Sequence, residues 1–138
     1  MEKTTVAEAA ISLRIATRKA CMCGTEKGKK STLSLETKLL FLLKEKPLTP
    51  NNVADLLELK KSNLAALAKS LEESGLIERH KLSGRREVSY SITEKGLQVL
   101  NEKLSEIEAS FRKFLIGEKD YDEAVETLES ATRLLGFI

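Results

Sequence analysis

A mainly α fold with one small β-wing is predicted for this 138-residue sequence. Three features predict it. Residues 48–75 hold two short segments with apolar residues at helical spacing, separated by a break at residues 58–60. Residues 77–93 then switch to two alternating strand patterns around the turn Ser83-Gly84-Arg85-Arg86. Longer helical patterns flank this block on both sides. Helix, turn, helix and hairpin in that order form a winged helix-turn-helix core. The expected division is an N-terminal dimerisation helix and loop over residues 1–30, the winged helix-turn-helix over 31–93, and C-terminal dimerisation helices over 94–138.

Residues 4–20 are expected to form the first helix, because Thr5 and Glu8 have the spacing of a capping box. Val6, Ala10, Leu13 and Ala20 fall on one side of it, Ile11 and Ile15 on another. A helix apolar on more than one side is usually sandwiched between others. Cys21-Met22-Cys23-Gly24 and a polar loop through residue 31 follow. The next helix is expected over residues 33–45, with Leu35, Leu39, Leu42 and Leu43 facing the core and Lys46-Pro47 ending it.

The helix-turn-helix carries its own punctuation. Thr49 suits an N-cap and Pro50 the first helical position, where a missing N–H costs nothing. Val53, Leu56 and Leu57 recur at helical spacing. The second helix, residues 61–74, has Leu64, Leu67, Ala68 and Leu71 on one narrow arc, and Gly75 ends it. Its opposite arc carries Ser62, Ala65, Ala66, Lys69 and Glu73, with Asn63 at the flank and Lys60 and Lys61 leading in. A helix entering the major groove needs small or polar side chains near its N-terminus and cations at its flanks. Ser62, Asn63 and Ala66 meet the first need, and Lys60, Lys61 and Lys69 the second.

The wing is expected as strands over residues 77–82 and 87–93. Val88, Tyr90 and Ile92 alternate with Glu87, Ser89, Ser91 and Thr93, so one face packs inward. Arg79 and Lys81 share one face of the first strand. Arg85 and Arg86 stand at the tip, where a guanidinium can reach a phosphate or enter a narrow minor groove.

Thr93 is expected to cap a long helix running to about residue 116. Leu97, Leu100, Leu104, Ile107, Phe111 and Phe114 are spaced 3, 4, 3, 4 and 3, a heptad seam, and Gly117 is expected to stop it. Asp120 and Glu123 suggest a second capping box for a last helix with Tyr121, Val125, Leu128, Leu135 and Phe137. The terminal Leu-Leu-Gly-Phe-Ile places large apolar groups at a chain end, where residues are ordinarily wet, so docking on a second subunit is expected. The dimerisation residues assigned in the C-terminal helices are Leu104, Ile107, Phe111, Leu128, Leu135 and Phe137.

The run LKKSNLAALAKSLEESGLIERHKLSGRREVSYSITEKG resembles the core of the MarR family of transcription regulators. The shared features are a Ser at the start of the recognition helix, Leu71 ahead of Ser74-Gly75-Leu76-Ile77-Glu78-Arg79, and an Arg-rich wing leading into Ile92-Thr93-Glu94-Lys95-Gly96. The family's wing usually carries Asp-x-Arg; Arg86 matches the arginine, whereas Gly84 stands in place of the Asp. The resemblance is strongest over residues 33–96. It implies a first helix in the dimer interface, with Leu13 and Ile15 as its dimerisation residues, double-stranded DNA as partner, and a small aromatic or phenolic effector.

Composition narrows the classes. Hydrophobic residues make up 41%, which argues against disorder, and aromatics only 4% with no Trp, which argues against single-strand binding by base stacking. Charge is uneven: net +4 over residues 1–30, +2 over 31–92 and −4 over 93–138, so the basic part includes the proposed DNA reader and the acidic part is the C-terminal helices. The longest apolar run, residues 39–43, is far short of a membrane span, and Glu8 and Ser12 interrupt any signal-peptide core. A cytoplasmic location is therefore expected, and reduced Cys21 and Cys23 with it.

No catalytic residues, cofactor or metal site are expected. There is one histidine, His80, and no phosphate loop, nucleophile elbow or HExxH. Cys21 and Cys23 leave three readings open: incidental thiols, a redox sensor tuned by Arg18, Lys19 and Lys27, or two soft-metal ligands completed across a dimer. The function expected is a homodimeric, ligand- or stress-responsive repressor on a pseudo-palindromic operator. The alternatives are a winged-helix protein-interaction module, or a thiol or metal sensor built on Cys21 and Cys23.

Overall fold

The computed structural model describes residues 4–22, 34–81, 84, 87–113, 115 and 117–136, with the backbone alone at 21, 22 and 118. Six helices and two strands follow one another: α1 (Val6–Met22), α2 (Leu35–Leu43), α3 (Pro50–Leu57), α4 (Lys61–Glu73), β1 (Ile77–Lys81), β2 (Val88–Ile92), α5 (Glu94–Arg112) and α6 (Glu118–Leu134). The fold class is the one the sequence predicts. The chain divides into two compact units, residues 28–106 and residues 1–27 with 107–138.

The first unit is built on one core. Leu39, Leu40 and Leu43 of α2, Val53 and Ala54 of α3, Leu64, Ala68 and Leu71 of α4, Ile77, Tyr90 and Leu100 pack together, each at most 8% exposed. Truncating a fully buried leucine here to Ala costs about 2–5 kcal/mol. Leu35, expected to face the core, is 44% exposed, and Leu56 of the α3 apolar pattern is 47% exposed, while Leu40 and Ala54 take the inward positions. In Leu-Glu-Thr-Lys-Leu-Leu-Phe-Leu-Leu, several apolar arcs fit a helix equally well, and tertiary packing chooses among them. Helix α2 also starts at Leu35 rather than residue 33, because Ser34 caps it: its hydroxyl accepts the Thr37 N–H at 3.2 Å.

Local chemistry sets the helix-turn-helix. The Thr49 hydroxyl accepts the Asn52 N–H at 3.3 Å, and Pro50 opens α3. Glu58 turns the chain at φ +54°, a left-handed conformation that few side chains adopt. Helix α4 ends in a Schellman motif: Gly75, at φ +76°, donates its N–H to Glu72 O at 3.0 Å, and Leu76 donates to Leu71 O at 2.9 Å.

Strands β1 and β2 pair antiparallel, with Ile77 opposite Ile92, Arg79 opposite Tyr90 and Lys81 opposite Val88. The other edge of β2 is covered too. Leu48 and Tyr90 exchange backbone hydrogen bonds, N–H to O, of 3.1 and 2.8 Å. Leu48 carries no strand signal in the sequence. Its bridge ties the start of α3 to the wing and protects an edge that would otherwise be open.

Thr93 caps α5 as expected, accepting the Gly96 N–H at 3.0 Å. It also reaches back: its hydroxyl lies 2.7 Å from Gly75 O and 3.1 Å from Leu76 O, and its N–H donates to Leu76 O at 3.1 Å. Gly96 lies against this junction. A Cβ there would overlap Leu76 O and stand 2.7 Å from Ile92 Cγ1.

In the second unit, Thr5 and Glu8 form the capping box expected for α1, with the Glu8 N–H 3.2 Å from Thr5 Oγ1 and a Glu8 carboxylate oxygen 3.4 Å from the Thr5 N. Helix α5 ends at Arg112, earlier than residue 116, and Gly117 is the N-cap of α6 rather than a stop signal. Asp120 is therefore inside α6 and forms no cap. An acid-rich stretch offers capping-box spacing by chance, whereas Asp120 in the first turn still complements the helix dipole. Arg112 of α5 stacks 4.4 Å over the Tyr121 ring and hydrogen bonds Glu108 at 3.2 Å. The Glu108 carboxylate, taking a hydrogen bond from the Tyr121 hydroxyl, holds that phenol above its ordinary pKa.

Candidate nucleic-acid interface

Helix α4 shows two faces. Leu64, Ala68 and Leu71 are buried, while Ser62, Asn63, Ala65, Ala66, Lys69 and Glu73 lie on the far side, all exposed. Burial of the apolar arc fixes the rotation of the helix, and that rotation presents the small and polar arc outward. Lys60 and Lys61 are exposed at its start. Lys60 is the N-cap and gives no side-chain cap, so the first-turn N–H groups have no side-chain acceptor there. The positive end of the helix dipole and two ammonium groups thus coincide, an arrangement suited to a phosphate.

The wing adds cations beside the core. Arg79 and Lys81 lie on the same sheet face as their partners Tyr90 and Val88, and both are exposed while Ile77 at the strand's base is buried. On β1 only Ile77 is buried on that face; Tyr90 opposite Arg79 belongs to the core, while the two cations are exposed. The opposite sheet face holds Glu78, His80 and Ser91. His80 Nε2 lies 2.8 Å from Ser91 Oγ and 3.4 Å from Glu78 Oε2. Both partners meet the same ring nitrogen, so the trio is no catalytic relay, which needs base and orienter on different nitrogens. At the tip, Gly84 adopts φ +73°. A glycine suits this left-handed position, which accounts for its standing where the resembled wing has Asp. Arg85 and Arg86 lie outside the described residues, as do Cys23, Phe114 and Phe137 and the side chain of Cys21. Among the described residues no group of three or more His, Cys, Asp or Glu is placed to hold a metal ion.

The residues assigned to dimerisation fall in both units. Leu104 packs against the winged-helix core. Leu13, Phe111 and Leu128 line an open apolar groove of about 610 Å³ in the other unit, where Ile107 is half-buried. Ile15 and Leu135 are 64% and 77% exposed. Lys95 carries no role in the sequence reading beyond its place in Ile92-Thr93-Glu94-Lys95-Gly96, yet its ammonium donates to Ser74 O at 2.9 Å. Nothing in a sequence pattern shows which carbonyls a helix end leaves open.

Residues 35–110 match the family model described as a winged helix DNA-binding domain. The chain belongs to that winged helix family. Its fold is similar to that of solved regulators over nearly their whole length. The transcriptional regulator BldR of Sulfolobus solfataricus is 24% identical, with a TM-score of 0.66 over 98% of this chain and 100% of that one. A mutant of MepR from a multidrug-resistant S. aureus clinical isolate is 18% identical, with a TM-score of 0.65 over 98% and 99% of the two chains. A MarR-family regulator from Rhodococcus sp. RHA1 is 21% identical, with a TM-score of 0.60 over 94% and 96%. The MarR resemblance read from the sequence is thus borne out in the fold. Comparison with curated proteins found no match. The winged helix family is one of DNA binders, and no helix among the described residues is long and apolar enough to cross a membrane.

Proposed function

We propose that this winged helix protein is a cytoplasmic, sequence-specific transcriptional regulator of the MarR type, a ligand- or stress-responsive repressor rather than an enzyme. It binds a pseudo-palindromic duplex as a homodimer. The observation that carries this reading is the outward arc of α4: small and polar at its start, ringed by lysines, and held in place by the buried arc behind it. Ser62, Asn63 and Ala66 face base edges in the major groove. Lys60, Lys61, Lys69 and Arg79 contact phosphates, with Lys81 beside them on the wing. Arg85 or Arg86 reaches the minor groove.

A phosphate contact and a base contact fail differently. Lys69→Ala is expected to weaken binding to all duplexes alike and to lower the slope of log affinity against log salt by about 1. Titrations at several salt concentrations, with sheared duplex as probe, check this. An unchanged slope would place the docking face elsewhere, and no salt-dependent binding at all would favour a protein-interaction module.

Twofold pairing is supported by the apolar surface of the unit that contains α1 and α6. Val6 is 84% exposed, Ile11 61%, Ile15 64%, Leu134 88% and Leu135 77%. Isolated soluble chains rarely leave so many large apolar groups wet. A dimer would set the two recognition helices one duplex turn apart, about 34–36 Å. Sedimentation is expected to give twice the 15.3 kDa chain mass. Ile15→Glu, at a position already exposed in the protomer, is expected to shift that mass to the monomer without unfolding the chain. An effector would act by preferring one separation of the recognition helices, since equal affinity for both shifts nothing.

A further inference from the structure

The segment Thr93-Glu94-Lys95-Gly96 holds the far end of the recognition helix by its backbone. The Lys95 ammonium donates to Ser74 O at 2.9 Å; the Thr93 hydroxyl lies 2.7 Å from Gly75 O and 3.1 Å from Leu76 O. The Thr93 N–H donates to Leu76 O as well, also at 3.1 Å. Three successive carbonyls at the exit of α4 are thus bound by the entry of α5. None of these groups belongs to the arc proposed to face DNA. The entry of α5 lies in the same compact unit as α4.

We propose that Thr93 and Lys95 are positioning residues for DNA reading: they fix the pose of α4 against the entry of α5. The inference rests on the DNA-reading function proposed above. Its leverage comes from length. Helix α4 is about 20 Å long at 1.5 Å per residue, so a tilt of about 5° about its C-terminal end moves its first turn by more than about 1 Å. A base-edge hydrogen bond tolerates about 0.5 Å. Contacts with phosphates, made by long flexible lysines, survive the same tilt. The clasp therefore governs discrimination between sequences and leaves general attraction to the polyanion alone.

Lys95 is the residue to test, because its bond is exposed, whereas Thr93 also caps α5. A duplex is selected from a randomised pool with the wild-type protein, and its affinity is compared with that of sheared duplex across a salt series. Lys95→Met is expected to weaken the selected duplex about 10-fold, the discrimination carried by one base-edge contact moved out of register. Affinity for sheared DNA, its salt slope and the urea midpoint stay as in the wild type. Lys95→Arg, which keeps a donor and the charge, restores most of the loss. An unchanged ratio of selected to sheared affinity in Lys95→Met overturns the proposal. So does an equal loss on both probes with a salt slope lower by about 1, which would make Lys95 a phosphate contact. Failure of Lys95→Arg to rescue overturns it too. A wild-type protein that enriches no sequence rejects the regulator reading itself, and the clasp's role in reading with it.

Discussion

Gly96→Ala is expected to destabilise the winged-helix unit by about 3 kcal/mol or more, although alanine is the better helix former by about 1 kcal/mol. The sign follows from what the new methyl meets. It would overlap Leu76 O and stand 2.7 Å from Ile92 Cγ1 and 3.1 Å from the Leu76 carbonyl carbon. A flexible side chain could move aside cheaply; a backbone carbonyl cannot. Leu76 O also accepts from the Thr93 N–H and hydroxyl, each at 3.1 Å, so displacing it breaks the clasp as well as the contact. Urea unfolding checks the prediction, with Gly84→Ala as the comparison. Gly84 has φ +73° but, among the described residues, nothing within 4 Å of its would-be Cβ, so that variant is expected to bear the left-handed strain, about 1–2 kcal/mol. Should Gly96→Ala prove equal to the wild type or more stable, the close approach of α5 to the end of α4 is not as described.

This junction also marks where legibility in the sequence stops. The helix-turn-helix was readable because its signals are local: Thr49-Pro50 opens α3, Gly75 closes α4 and Thr93 opens α5, each acting within a few residues of itself. The outward arc of α4 was readable for a related reason, since a clear apolar arc defines its opposite. Three features were not. Leu48 pairs with β2 through a single residue, too short to show alternation. Leu40 and Ala54 displaced Leu35 and Leu56 from the core because a leucine-rich helix offers several inward faces and only its neighbours select one. The Asp120-x-x-Glu123 spacing matched that of Thr5-x-x-Glu8, yet only the second is a cap, because Gly117 had already begun α6. Spacing states that a bond can form, and the chain's path decides whether it does. The bonds from Thr93 and Lys95 to the end of α4 are of the same kind: they join residues 17 to 21 apart in sequence, beyond any local pattern.

The other large effect is expected at Ala66. It lies on the outward arc of α4, exposed and remote from the core contacts of Leu64, Ala68 and Leu71. Ala66→Glu should leave stability within about 0.5 kcal/mol of the wild type, as surface substitutions generally do. Glutamate is also a good helix former, so the backbone has no reason to change. On DNA the same change is severe. If α4 reads DNA as proposed, a small side chain at this position lets the helix backbone approach the base edges, whereas glutamate would fill that space and bring a carboxylate towards a groove lined by phosphates. Of the base edges, the cytosine amino group offers the donor best suited to it, so the charge is desolvated without return at most sequences. The expected loss is about 100-fold or more on duplex DNA, against the uniform and smaller loss for Lys69→Ala. Gel shift or fluorescence anisotropy, run beside a urea melt of the same preparation, separates binding from folding. If Ala66→Glu bound duplex as tightly as the wild type while folding normally, the outward arc of α4 would not be the reading surface. The basic wing and the lysines at the helix entry would then have to serve another polyanion or an acidic protein.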